Sequence, residues 1–249
     1  MSNRDAARWL SFWRILLKSQ RLCVRAVLAR IKRISCSPLT PPAHEMKLIA
    51  SLIGACALAA LSLSAQAQAP QPDLNKGAAL YNQVCVACHA ANGNSGTPVH
   101  PVLAQQHPEY LIKQLQEFKS GKRDNAIMKG FASALSDQDM ANVAYWLASQ
   151  KANPGFSQDK ALVGMGERIY RGGLADRQIA ACVGCHAPNG SGMPAQYPRL
   201  SGQHAEYTST QLKAFRSGER KNSVQMSHIA VYLTDKEIKA VSDYVAGLR

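Results

Sequence analysis

Two pentapeptides carry the residues whose spacing could do chemistry: Cys85-Val-Ala-Cys88-His89 and Cys182-Val-Gly-Cys185-His186. Paired thiols followed at once by an imidazole suit thioether attachment to the vinyl groups of a haem, with the histidine ligating iron from one side. Two rival chemistries also use C-x-x-C spacing. A thioredoxin-like dithiol is expected near a βαβ pattern, and no alternating strand pattern is visible. A four-cysteine zinc site does not require a histidine after both pairs and fits poorly with two separated helical segments. The motifs therefore predict two covalently bound haem c groups, on Cys85 and Cys88 and on Cys182 and Cys185, with His89 and His186 as iron ligands.

The elements that must position these motifs come in two copies. HPEYLIKQLQEFKSGKR around Tyr110 recurs as HAEYTSTQLKAFRSGER around Tyr207, and the CxxCH motifs, Pro101 with Pro198, Phe118 with Phe215 and Gly121 with Gly218 all share an offset of 97. One inserted residue then shifts the offset to 98, pairing Met128 with Met226. Upstream, Gly77 and Tyr81 pair with Gly166 and Tyr170 at offset 89, so the second copy has eight extra residues within about 171 to 181. Duplication of one small unit explains the pattern.

Each copy reads as short helices joined by Gly/Pro-rich loops. In the first, helices are expected over 75–84, 109–120 and, opened by the capping signature Ser136-Asp137-Gln138-Asp139, to about 150. In the second they fall over 162–170, 205–217 and 234–248, the last with Thr234 and Glu237 as a capping box. The fold class is all-α, two tandem small helical domains each wrapped around one covalent haem, at 70–152 and 161–249, joined by a linker at 153–160 that contains Asn153-Pro154-Gly155. Units this short bury limited apolar surface, so an anchored macrocycle would complete each core and the apo-chain should fold poorly.

The repeat also selects among seven methionines. Met128 lies 39 residues after His89 and Met226 lies 40 after His186, and each stands eight residues before the cap of the last helix. That equivalence marks Met128 and Met226 as second iron ligands, whereas Met140, Met165 and Met193 read as core or surface residues. His100 and His228 read as loop or surface residues without repeat partners, and the recurring His107 and His204 as caps or haem-edge contacts rather than ligands.

The whole chain of 249 residues has a formal charge of +13, yet residues 1–69 hold 10 of the 29 Lys+Arg and only 2 of the 16 Asp+Glu. The remainder, at +5, suits an acidic docking partner better than nucleic acid. From Met46, a lysine, an apolar run to about Leu63 and the small residues ending at Ala69 form a secretory signal peptide over 46–69. The apolar run, about 16 residues, falls short of the roughly 20 that span a bilayer. Ile53 to Cys56 only faintly resembles a lipoprotein box. Residues 1–45, Arg-rich and carrying Trp9, Phe12 and Trp13, have the composition of an amphipathic targeting segment; the favoured reading is that translation starts at Met46.

With these residues assembled, the chain resembles the cytochrome c4 family, periplasmic dihaem members of the class I cytochromes c. The resemblance spans Gln71 to Arg249 and rests on GCHAPNGSGMPAQYPRLSGQHAEYTSTQLKAFRSGER, CHAANGNSG and LSDQD; the NAIM stretch before Met128 is shorter than in many relatives. It implies His/Met iron, facing domains with haem propionate edges close, and Pro101 and Pro198 as the residues whose carbonyls orient His89 and His186. It also implies packing of Gly77 with Tyr81, and of Gly166 with Tyr170, against the last helices near Trp146 and Tyr244.

Function follows from the ligand set. Irons with His and Met ligands have no open position for a substrate, and methionine raises the potential toward that of an electron carrier. The reading is a periplasmic, non-enzymatic carrier of single electrons in a respiratory chain, with no nucleic acid and no small-molecule substrate. The resemblance adds a donor complex and a terminal oxidase as redox partners, with loose association at the membrane face. The alternatives are a haem subunit docked permanently in a membrane complex and, further off, a dihaem peroxidase with a displaceable ligand.

Overall fold

A computed structural model of the chain describes residues 71–249, and the signal peptide and N-terminal extension read above lie outside them. Local chemistry sets the helices. Asp73 accepts from the backbone N–H groups of Asn75 and Lys76 and opens α1, Leu74–Val84; the short α2, Val86–His89, carries the first motif. Pro108 stands in the first turn of α3, Pro108–Ser120, which stops at Gly121 in the left-handed conformation. Asn125 caps α4, Ala126–Ser133, and Ser136 with Asp139 forms a complete capping box for α5, Asp137–Ser149.

The second half repeats the series as α6, Lys160–Gly172; α7, Val183–His186; α8, Ala205–Ser217; α9, Val224–Ala230; and α10, Asp235–Gly247. Among the described residues β structure is confined to isolated bridges. The expected helices are present with ends within two residues of their places. The difference is α4 and α9, which were not among the expected elements. At eight and seven residues they are too short to display a periodic face, and their only sequence signals are the caps Asn125 and Ser223.

In each half the first long helix crosses the last, α1 on α5 and α6 on α10, with α3 or α8 packed on the same last helix. The crossing is close because of a glycine. A Cβ on Gly77 would lie 2.7 Å from the Asn142 carbonyl carbon, and one on Gly166 would lie 2.6 Å from the Tyr244 Cβ. Aromatic rings fill the flank of each crossing, Tyr81 against Trp146 at 4.7 Å between centroids and Tyr170 against Tyr244 at 5.6 Å. Around them lie Leu111, Val143, Ala144 and Leu147 in the first half, and a larger cluster including Ile169, Ile179, Leu212, Ile238 and Val245 in the second.

The connection between the halves has no helix but is tied at both ends. Asn94 donates to the Lys151 carbonyl and accepts from the Asn153 N–H, and Asp243 accepts from the N–H groups of Gln158 and Asp159 and from the Ser157 hydroxyl. The extra residues of the second half form a turn around Ala175–Arg177, closed by a Leu174–Ile179 bridge. Arg177 fastens that turn to α10 through Glu237 and the Tyr232 carbonyl, and Ile179 enters the core.

Candidate haem-binding sites

Both motifs are held by the same contacts. The four cysteines are free and half-buried, so no disulfide competes for them, and burial pushes the Cys85 and Cys182 thiols up to about 11. His89 and His186 are buried, and burial lowers both imidazoles below their ordinary values, which keeps the rings neutral. His89 bonds through Nδ1 to the Pro101 carbonyl at 3.2 Å, and His186 to the Pro198 carbonyl at 3.0 Å. A carbonyl can only accept, so each Nδ1 carries the proton and each Nε2 keeps a free lone pair. Free thiols, a neutral histidine presenting Nε2, and a carbonyl fixing its ring fit a covalent haem with an axial imidazole.

Strain accompanies the fit. Directly after each histidine, Ala90 at φ 56°, ψ 177° and Ala187 at φ 66°, ψ 159° occupy a region that is essentially glycine-only. Tyr81 and Tyr170 hold these residues by donating to the Ala90 and Ala187 carbonyls at 2.7 and 2.6 Å. The same two tyrosines pack at the helix crossings, so the core of each half reaches the backbone beside its histidine.

The proposed methionine ligands lie on the unexpected helices. Met128 in α4 and Met226 in α9 are half-buried, and each backbone N–H is taken by the cap residue three positions earlier, Asn125 or Ser223. Both therefore hold the same place in a capped turn. Met140 is fully buried core, Met165 packs at the edge of the second cluster and Met193 is exposed. His228 is exposed. His100 lies in a loop, as expected, and its ring stands 6.0 Å from that of His89, as Tyr197, at the equivalent position, stands 6.0 Å from His186. His107 and His204 occupy the N-cap positions of α3 and α8, but their rings make no capping bond and instead bond across the halves to the carbonyls of Ser191 and Ser95, each at 2.8 Å.

A cross-half network was not anticipated from the sequence. Arg123 donates to the Tyr207 hydroxyl and the Gln211 side-chain oxygen, and Arg220 donates to their repeat equivalents on Tyr110 and Gln114. Burial alone would raise the Tyr110 hydroxyl, but Arg220 and Arg123 bring it below its ordinary value. Gln106 and Gln203 reach the backbone of the opposite half. The signal that could have found these residues is their recurrence at the offset of 97.

The cytochrome c family model matches this chain twice, over residues 74–151 and 174–249. The chain is 45% identical over 188 residues to the cytochrome c4 of Thiocapsa roseopersicina, covering 74% of this chain and 97% of that protein. This chain belongs to the cytochrome c4 family. The crystal structure of reduced recombinant cytochrome c4 from Pseudomonas stutzeri superposes with a TM-score of 0.68 at 42% identity, covering 72% of this chain and all of that one. A thiosulfate dehydrogenase electron acceptor from Stutzerimonas stutzeri is 40% identical over 205 residues, covering 77% of this chain and 92% of that protein. As a cytochrome c4, the chain consists of two tandem cytochrome c domains, carries two covalent haem c groups and transfers electrons.

Proposed function

We propose that this cytochrome c4 is a periplasmic, non-enzymatic shuttle of single electrons in a respiratory chain, with His89 and Met128 on one iron and His186 and Met226 on the other. The bound haem irons supply the one-electron couple. The protein's part is to bind, orient and exclude. Cys85, Cys88, Cys182 and Cys185 anchor the macrocycles; the Pro101 and Pro198 carbonyls hold the histidine rings; and the capped turns of α4 and α9 set the methionines. The observation that supports the reading is the identity of these three devices in both halves, which favours the same pair of ligands at each iron. The helix-free stretch over 150–159 supports domain limits of 70–152 and 161–249 with a linker at 153–160, whose last residue, Lys160, opens α6.

The donor and acceptor are redox proteins, the acceptor being a terminal oxidase, and the +5 charge beyond residue 69 suits acidic faces on both. Among the described residues no helix is long and apolar enough to cross a membrane, and the signal read over 46–69 supports export to the periplasm with loose membrane association. The absorption spectrum of the oxidised protein tests the ligands: the methionine-to-iron band is expected at both sites, lost at one in Met128→Ala and at the other in Met226→Ala. High-spin iron in the unmodified protein would favour a peroxidase, and copurification with a membrane complex a docked subunit.

A further inference from the structure

A peptide group has two polar ends, and in this protein the peptides that orient the two histidines are each used at both. The Pro101–Val102 peptide accepts from His89 Nδ1 at its carbonyl, while its N–H, that of Val102, donates to the side-chain oxygen of Gln203 at 2.9 Å. Gln203 belongs to the other half. The Pro198–Arg199 peptide is used in the same way: its carbonyl accepts from His186 Nδ1, and its N–H, that of Arg199, donates to the side-chain oxygen of Gln106 at 2.9 Å. Each glutamine closes its clasp by donating from Nε2 to the next carbonyl, Gln203 to Val102 and Gln106 to Arg199, both at 2.9 Å.

Both glutamines are buried, at 9% and 6% exposure, so water does not compete freely for these bonds. Each oxygen also accepts from the N–H of the histidine that follows it, His204 or His107, at 3.0 Å, which locks the amide in one orientation.

We infer that Gln203 is a positioning residue for the first haem and Gln106 for the second, each acting from the opposite half through the peptide that holds the axial histidine. The inference rests on the ligand assignment proposed above. Hydrogen bonds in a chain polarise one another. Donation by Val102 N–H to Gln203 makes the Pro101 carbonyl a better acceptor, strengthens the bond from His89 Nδ1–H and renders the ring a stronger donor at Nε2, which favours oxidised iron. Docking of the halves and the properties of both irons are thereby linked.

The test uses the full dihaem protein and the variants Gln203→Leu and Gln106→Leu, with Tyr207→Phe as a control that removes a cross-half bond from Arg123 without touching either peptide. Nδ1–H resonances of His89 and His186 are followed in the reduced protein after 15N-histidine labelling, together with both potentials. Gln203→Leu should move the His89 resonance upfield, leave that of His186 in place and shift the first haem about threefold toward the reduced form, roughly 28 mV at about 59 mV per tenfold for one electron. Gln106→Leu should do the converse, and Tyr207→Phe neither. Gln203→Glu, which keeps the acceptor oxygen, should retain the His89 resonance at or downfield of its original position. Movement of both haems together, or an equal effect of Tyr207→Phe, would overturn the inference in favour of general loosening. Failure of the ligand assignment is distinguishable, because it would show as a missing methionine band in the unsubstituted protein.

Discussion

The two halves agree around each CxxCH motif and in the bonds they exchange, and differ at a few particular places. Both have a glycine-mediated crossing, a tyrosine donating to the strained residue after the motif, a proline carbonyl on Nδ1 and a capped methionine turn. They diverge in the turn around 175–177, found only in the second half, and in the ring beside the motif histidine, His100 in one and Tyr197 in the other. A further difference is the buried Glu117, which bonds Lys113, Lys122 and Asn222 and whose repeat position is Ala214. Charge differs as well: residues 70–152 hold seven Lys+Arg against six Asp+Glu, and residues 161–249 hold eleven against seven. Shared chemistry at the cofactor constrains one set of residues, while the other set gives two like sites unlike surroundings.

The strongest way to break this comparison is at the crossings. Gly77→Ala and Gly166→Ala should each cost about 3 kcal/mol, because the new methyl meets backbone on the facing helix rather than a yielding side-chain end. Thermal unfolding of the holoprotein measures it, and tolerance at only one of the two positions would show that the halves are not built alike. Next is Glu117→Gln, expected to cost about 2 kcal/mol because it removes the charge from a buried, hydrogen-bonded carboxylate facing two lysines. The converse change at Ala214 has no such partners to gain.

Arg177→Ala sharpens the contrast at the second half alone, with an expected loss of about 1 kcal/mol at neutral pH. Arg177 pushes Glu237 down from 4.5 to about 2, with the Thr234 cap assisting against burial. A carboxylate whose folded value lies below its unfolded one contributes stability that is full above about pH 4.5 and is lost as pH falls toward 2. Acid denaturation of the variant should be shallower in that window. The smallest effect is a gain: Ala90→Gly and Ala187→Gly each relieve a glycine-only conformation at the cost of chain entropy, for a net stabilisation of about 1 kcal/mol in denaturant titrations.

Much of this was legible because the signals were local or repeated. The periodic faces and capping boxes located α3, α5, α8 and α10, and recurrence marked Met128 and Met226 as equivalent, which their matching capped turns reflect. Helices α4 and α9 escaped because a helix of two turns is held by its cap and by tertiary packing, not by a repeating stripe. The roles of His107, His204, Gln106 and Gln203 escaped for another reason. Recurrence shows that a residue matters in both copies, but a side chain that bonds its own half and one that crosses to the other have the same spacing.

A redox titration of the purified holoprotein followed by visible spectroscopy tests the central claim most directly. The account predicts two haems per chain, two one-electron steps and low-spin spectra throughout, with the methionine-to-iron band at both irons in the oxidised protein and its loss as each is reduced. One haem per chain, or an iron that stays high-spin or takes up an added ligand such as cyanide or peroxide without loss of fold, would contradict it.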